Sequence, residues 1–329
     1  MASVLQIIAP VLRTLLFLTL GAAWGAACAQ AYPTKPIRVV VPFVPGGGSD
    51  TLGRMVAQKL AEGLKQQAFV DNRGGAGGRL GADLVAKATP DGYTLLFTGS
   101  GTLIMAPALY EKLPYDPQKD FAPITLIASS AYVLLVHPAV PVRSLKQLIA
   151  LCRARPGLLN YASAGLGAPG HLSGELFQSM AGVKMAHVPY KGTAPGIMSV
   201  IAGETDLTFS SLVPAVPAIH SGRVRAVAVT SSSRSSILPE VPTMAESGLP
   251  GFETMTHYGV LAPAGTARDI VATLNAVLVK ELQSAEVRKR LETDGSELST
   301  STPEEFARLI RTETAKWMKV IKAAGIKPE

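Results

Sequence analysis

The stretch Ile37-Arg38-Val39-Val40-Val41-Pro42-Phe43-Val44-Pro45-Gly46-Gly47-Gly48-Ser49-Asp50 reads as a strand, a glycine turn and the start of a helix. Its β-branched run favours extended backbone, and Pro45 with three glycines stops it. Ser49 and Asp50 then offer capping oxygens to a helix that carries Leu52, Met55, Val56, Leu60 and Leu64 at helical spacing. The unit recurs. Phe69-Val70 precedes the glycines 74 to 78 and a helix through Leu80, Leu84 and Val85, and Tyr93-Thr94-Leu95-Leu96-Phe97-Thr98 runs into Gly99-Ser100-Gly101. Strands alternating with helices across glycine turns predict an α/β protein with parallel sheets covered on both faces.

A second set of elements follows Asp120. Ala131-Tyr132-Val133-Leu134-Leu135-Val136 predicts a strand and 144–153 a helix. Asn160-Tyr161-Ala162-Ser163 enters a second glycine turn, Ala164-Gly165-Leu166-Gly167-Ala168-Pro169-Gly170, with a helix over 171–180. Further strands are expected at 185–189, 207–209, 225–229 and 258–261, and helices at 195–202, 267–293 and 303–323. The serine-rich run 231–236 is short enough for a surface loop.

Composition narrows the function. Hydrophobic residues make up 47% and charged ones 17%, so the chain buries a core and is not disordered. The 31 Gly and 24 Pro follow no three-residue period, which excludes collagen. The formal charge of +7 is dispersed, and its longest cluster, Arg288-Lys289-Arg290, is flanked by Glu286 and Glu292. That is a solvated helix face, and nucleic acid is not the expected partner.

Residues 1–31 carry one charge, Arg13, then an apolar run beginning Thr14-Leu15-Leu16-Phe17-Leu18, and end in Ala29-Gln30-Ala31. This is the pattern of a secretory signal peptide cut near Ala31. The run is rich in Gly and Ala and shorter than the ~20 residues of a membrane span. Cys28 would suit a lipoprotein, but Gly25 stands where its recognition motif wants Leu. Cleavage leaves only Cys152, on an apolar helical stripe with Leu145, Leu148 and Ile149, where a core thiol is expected and no internal disulfide.

Ligands of open α/β sheets bind beyond the carboxyl ends of strands, where amides point outward and glycine lets backbone come close to an anion. The turns 45–49 and 163–167 fit that description. Gly165, Gly167 and Gly170 fall at the spacing G-x-G-x-x-G, but no Asp or Glu stands some twenty residues on as a dinucleotide site wants, and neither turn carries the Lys-Ser/Thr of a phosphate loop. There is no G-x-S-x-G, H-E-x-x-H or C-x-x-C, and the histidines at 137, 171, 187, 220 and 257 share no metal-ligand spacing. A cofactor, a metal and a catalytic residue are therefore not expected. His171, opening the helix after the second turn, either caps that turn or faces a ligand. Asp206, entering a strand, either caps a turn or binds a ligand amine or a bridging water.

Several segments together resemble the periplasmic receptors of tripartite tricarboxylate transporters, the Bug receptors. They include Asp71-Asn72-Arg73-Gly74-Gly75-Ala76-Gly77-Gly78, Pro90-Asp91-Gly92-Tyr93, Leu113-Pro114-Tyr115-Asp116, Val188-Pro189-Tyr190-Lys191-Gly192, Pro239-Glu240-Val241-Pro242-Thr243 and Ala262-Pro263-Ala264-Gly265-Thr266. The resemblance implies a two-domain Venus-flytrap fold joined by crossing strands, with one domain over 32–130 plus 255–329 and the other over 131–254. It implies a monomeric, non-enzymatic solute-binding protein of the periplasm that hands a small organic acid or amino-acid-like ligand to membrane transporter subunits. One jaw would comprise Phe43, Gly46 and Gly47 with Thr98 and Ser100 nearby. The other would comprise Ser163, Gly165, Gly167 and His171, with Tyr190 and Asp206 along the wall. Two positions depart from the family: Ala168 where a hydroxyl is common, and Tyr258 where many relatives carry Trp. A receptor signalling to a membrane sensor is the alternative within this class, and a secreted enzyme acting on a small acid is the alternative outside it. With Lys191 the nearest evident cation, a mono- or dicarboxylate is expected over a fully ionised tricarboxylate.

Overall fold

The computed structural model describes residues 32–326 except 46–47, 191 and 294. The expected signal peptide, Gly46, Gly47 and Lys191 lie outside the described residues. The compact unit Lys35–Glu329 contains every described strand and helix.

The chain begins with β1 (Ile37–Val41), α1 (Gly48–Leu64), β2 (Ala68–Asn72), α2 (Arg79–Ala86), β3 (Thr94–Gly99) and α3 (Ala106–Leu109). The long β4 (Phe121–Val136) comes next, then α4 (Leu145–Ala154), β5 (Asn160–Ser163), α5 (Pro169–Ala181), β6 (Ala186–Pro189), α6 (Thr193–Ala202), β7 (Leu207–Ser211), α7 (Leu212–His220) and β8 (Arg225–Val229). The last elements are β9 (Met255–Pro263), α8 (Arg268–Glu281), α9 (Ala285–Thr293), β10 (Glu297–Leu298) and α10 (Pro303–Ala324).

The strands form one continuous ladder in the order β2-β1-β3-β9-β4-β7-β5-β6, with β8 and β10 also paired to β4. Val39, Val40 and Val41 are fully buried, as a continuous β-branched run between two helical layers requires. The sheet is mixed where the glycine-turn pattern predicts parallel pairing. β1 pairs in parallel with β2 and β3, and β5 with β6 and β7, but β9 runs antiparallel to both β3 and β4. Strands returning from distant segments supply the antiparallel centre, and no local pattern announces them.

β4 is the element that joins the two ends of the ladder. Its first part, from Phe121 to Ala131, pairs with β9, and its last part, from Tyr132 to Val136, pairs with β7. The sequence reading recovers only that last part, because Pro123, Thr125, Ser129 and Ser130 interrupt the apolar run. The expected helix over 267–293 is two helices, α8 and α9, and α7 was not expected because Pro214 and Pro217 stand within it. α10 starts in a capping box between Thr302 and Glu305, buries Phe306, Ile310 and Trp317, and packs on β4, α3 and α5. Cys152 is buried and its thiol is pushed up to about 11, first by burial and then by the charge of Asp206, so it is a core residue rather than a nucleophile.

Candidate functional site

A cavity of about 450 Å³ opens beyond the carboxyl ends of β1, β3 and β5. Phe43 and Ser49 come from the first glycine turn, Gly99 and Gly101 from the end of β3, and residues 164–169 from the second glycine turn. Met105, Leu109 and Tyr110 form an apolar side, and Tyr132, Thr256 and Tyr258 reach in from β4 and β9. A second concavity, about 540 Å³, lies between Pro107 and Met318. Its charged lining residues are Glu111, Asp116 and Asp120, which would repel an acid, so the first cavity is the candidate site.

Asn72 ties the first turn at both ends. Its side-chain amide donates to the Phe43 carbonyl at 3.0 Å and to Asp50 Oδ1 at 3.0 Å. β2 thereby fixes where Phe43 faces the cavity and where α1 begins.

The second turn is held from behind by two histidines. The Gly167 amide donates to His171 Nδ1 at 3.0 Å, and the Gly165 amide donates to Ser163 Oγ at 3.1 Å. Ser163 Oγ also lies 2.7 Å from His187 Nε2, and the rings of His171 and His187 stack with centroids 4.0 Å apart. Accepting at Nδ1 places the His171 proton on Nε2, which faces Glu175 Oε1 at 3.8 Å. Burial pulls His171 down to about 3, helped by the neighbouring His187, and pulls His187 down to about 4. Both rings are neutral at neutral pH, so the approach of His171 to Glu175 is not an ion pair. Of the two readings open to His171, the structure takes the cap.

These bonds change where anion donors must be sought. The amides of Gly165 and Gly167 are engaged inside the turn. The Gly170 and His171 amides, in the first turn of α5, precede the reach of the helix's own carbonyls. Behind the cavity a small pocket of about 40 Å³, lined by Ser163, Gly170, Thr193 and Thr208, shares Tyr132, Ala164 and Pro169 with it. That volume holds at least one water molecule, which suits a relay from the α5 amides to a ligand.

The structure brings some of the sequence-derived residues together and sets others apart. Phe43, Gly165 and Gly167 line the cavity. Thr98 and Ser100 are buried one layer behind it: the Thr98 hydroxyl bonds Thr102 Oγ1 at 3.0 Å, and Ser100 Oγ accepts from the His257 amide at 2.8 Å. Their service is to hold Gly99 and Gly101 against the site. Ser163 and His171 shape the turn without lining the main cavity. Tyr190 is outside the lining, with its hydroxyl 3.4 Å from Glu204. Asp206 lies at the opposite end of β7, about 13 Å of strand away from the turn side. Its carboxylate accepts the Asn160 amide at 2.8 Å, and its own amide donates to Asn160 Oδ1 at 3.0 Å. This exchange pins the starts of β5 and β7 together.

Sequence reasoning missed Arg79, Tyr110 and Tyr132. Arg79 carries the only charge in the cavity lining among the described residues. It follows the glycines of 74–78, a segment read above for its family resemblance and not for its cation. Tyr132 Oη and Thr256 Oγ1 bond each other at 2.8 Å. The Tyr258 ring stacks on Phe97 with centroids 6.2 Å apart, and its hydroxyl has no partner among the described residues. No group of three or more His, Cys, Asp or Glu side chains among the described residues is arranged to hold a metal.

The site and fold define a solute-binding protein. The sequence profile of the tripartite tricarboxylate transporter family receptor (TctC) matches residues 52–326, and the chain belongs to this family. It is 42% identical over 293 residues to a protein encoded in the tcbD-tcbE intergenic region of Pseudomonas sp. strain P51, covering 89% of this chain and 87% of that one. It is 37% identical to the protein BugT of Bordetella pertussis, over 91% of this chain and 92% of that one. Among solved structures, R. palustris Rpa4515 with adipate superposes with a TM-score of 0.79 at 39% identity, covering 91% of this chain and all of that one (100%). MatC from Rhodopseudomonas palustris with bound malate gives 0.74 at 36% identity, covering 88% and 100%. The fold is the two-domain α/β fold of the periplasmic binding proteins, with a curled sheet flanked by helices.

Proposed function

We propose that this protein is a periplasmic receptor that encloses a small organic carboxylate between two domains and delivers it to a tripartite-type membrane transporter. The observation that carries this reading is the 450 Å³ cavity, within the usual range for a small-molecule site, which is walled by the two glycine turns and holds one cation and no anion among the described lining residues. The domains are taken as 32–130 plus 255–329 and 131–254, with β4 running across the boundary between them. Residues 1–31 act as a cleaved export signal. Among the described residues no helix is long and apolar enough to cross a membrane. Ligand closing both jaws stabilises the closed arrangement by its differential affinity for it. The protein performs no chemistry on its ligand; it binds and releases.

A thermal-shift screen of mono-, di- and tricarboxylates, amino acids and aromatic acids tests the reading. At a hundredfold excess over Kd a ligand adds about 2.7 kcal/mol of stability, a clear rise in Tm. A screen in which no acid raises Tm contradicts it.

A further inference from the structure

The segment Leu113-Pro114-Tyr115-Asp116 takes no part in the cavity between the glycine turns. It lines the second concavity instead, where the chain between α3 and β4 meets α10. The volume there, about 540 Å³, is in the range of small-molecule sites and exceeds what one basic side chain fills. Leu113, Pro117 and Met318 give the concavity an apolar body. Tyr115 sends its hydroxyl to the Thr102 carbonyl at 2.8 Å, so it adds its ring alone. Tyr110, whose ring centroid lies 4.0 Å from the Arg79 guanidinium carbon, is the wall shared with the first cavity.

The charge of this lining is one-sided. Glu111, Asp116 and Asp120 meet no Lys, Arg or His among the described lining residues, on a chain whose formal charge is +7. Glu111 is exposed and enters no ion pair among the described residues. Asp116 pairs with the exposed Lys119 at 3.1 Å, a surface contact that a competing cation displaces at little cost. Asp120 Oδ2 accepts the Asp116 amide at 2.7 Å, which fixes these two acids relative to each other.

A further observation is independent of the acids. Thr314 of α10 borders the concavity and is 6% exposed, and its Oγ1 has no hydrogen-bond partner among the described residues. A helical threonine can return its hydroxyl to the carbonyl four residues back, as Thr312 does to Arg308 at 3.1 Å. Thr314 does not. A buried hydroxyl left unpaired is costly and rare, so Oγ1 points to a donor that a ligand brings.

We propose that this concavity is a second binding site, which takes a small organic amine as its ammonium ion. An ammonium group carries three N–H donors and no acceptor, which suits carboxylates beside an accepting hydroxyl. The apolar part of the amine lies along Leu113 and Met318. This assignment goes beyond the carboxylate reading of the first cavity and does not depend on it.

Calorimetry on the purified protein tests it, with butylamine, phenethylamine and putrescine as probes and the alcohol of matching skeleton beside each. The best amine binds at least about tenfold tighter than its alcohol, the scale of a charge-assisted bond, and the advantage shrinks as ionic strength rises. The double variant Glu111→Gln/Asp116→Asn removes that advantage and leaves acid binding in the first cavity unchanged. Thr314→Val keeps the side-chain shape, weakens the amine by about threefold or more and does not lower the unliganded Tm, because the hydroxyl it removes is unpaired. Amines that bind no tighter than their alcohols, or as tightly to either variant as to the parent, overturn the proposal. A blocked lysine peptide that binds more tightly than every free amine also overturns it, in favour of a basic segment of a protein partner.

Discussion

The Gly167 amide donates to Nδ1 of His171, four residues along the chain, over 3.0 Å. A buried neutral imidazole thereby becomes the clamp that keeps the second glycine turn in shape. Gly167 has φ 72°, and a Cβ there would come within 2.5 Å of Leu109 Cδ2 on the facing side of the cavity. Clamp, turn and facing wall are in contact, so the state of His171 reaches the ligand through one residue.

Replacing the clamp loosens the turn before it unfolds the protein. His171→Phe keeps the ring volume and removes the acceptor, leaving the Gly167 amide unpaired at a cost of about 1–3 kcal/mol. Calorimetry should show ligand affinity lower by about tenfold or more, with circular dichroism unchanged.

Acid acts on the same pair. Folded-state values of about 3 for His171 and about 4 for His187 lie below the ~6.5 of an unfolded histidine. The unfolded chain therefore takes up protons first as the pH falls. The stability contributed by the neutral rings is complete above about 6.5 and is lost as the pH falls from there toward 4 for His187 and toward 3 for His171. Scanning calorimetry between pH 7.5 and 4.5 should show Tm falling across that window, and the double variant His171→Gln/His187→Gln should show a shallower fall.

Asp206 separates a structural role from a ligand role. Asp206→Ala removes the acceptor of the Asn160 amide and should cost about 1–3 kcal/mol by chemical denaturation. Ligand affinity, corrected for the folded fraction, should stay within about twofold. A large loss of affinity in a fully folded variant would return Asp206 to the site.

Gly170 is where α5 rests directly on β7. A Cβ at this position would stand 2.4 Å from the Phe209 carbonyl oxygen, a backbone atom that cannot swing away. Gly170→Ala should lose about 1–3 kcal/mol, seen as a Tm lower by roughly 2–10 °C.

The sequence reading recovers what local chemistry decides. The run 37–41, the helix after Ser49 and the glycine turns are visible because β-branched residues, capping oxygens and glycines act on their own neighbourhood. The first ten residues of β4 and the antiparallel course of β9 are hidden, since their partners lie more than a hundred residues away and their sequences do not alternate. The site divides the same way. Gly165 and Gly167 line the cavity beyond a strand end and Phe43 lines it where the family resemblance puts it, whereas Thr98 and Ser100 fall one layer back because of their partners Thr102 and His257. The stacking of His171 on His187 and the approach of Arg79 to Tyr110 arise only when separate βα units meet.

The central claim is that an acid binds in the cavity between the glycine turns. A crystal structure of the complex with the tightest-binding acid tests it most directly. The account predicts the ligand between Phe43 and the turn of residues 164–169, with its carboxylate at the start of α5. Density for the acid in the groove beside Glu111 and Met318, or an empty cavity at a ligand concentration that saturates binding in solution, would contradict it.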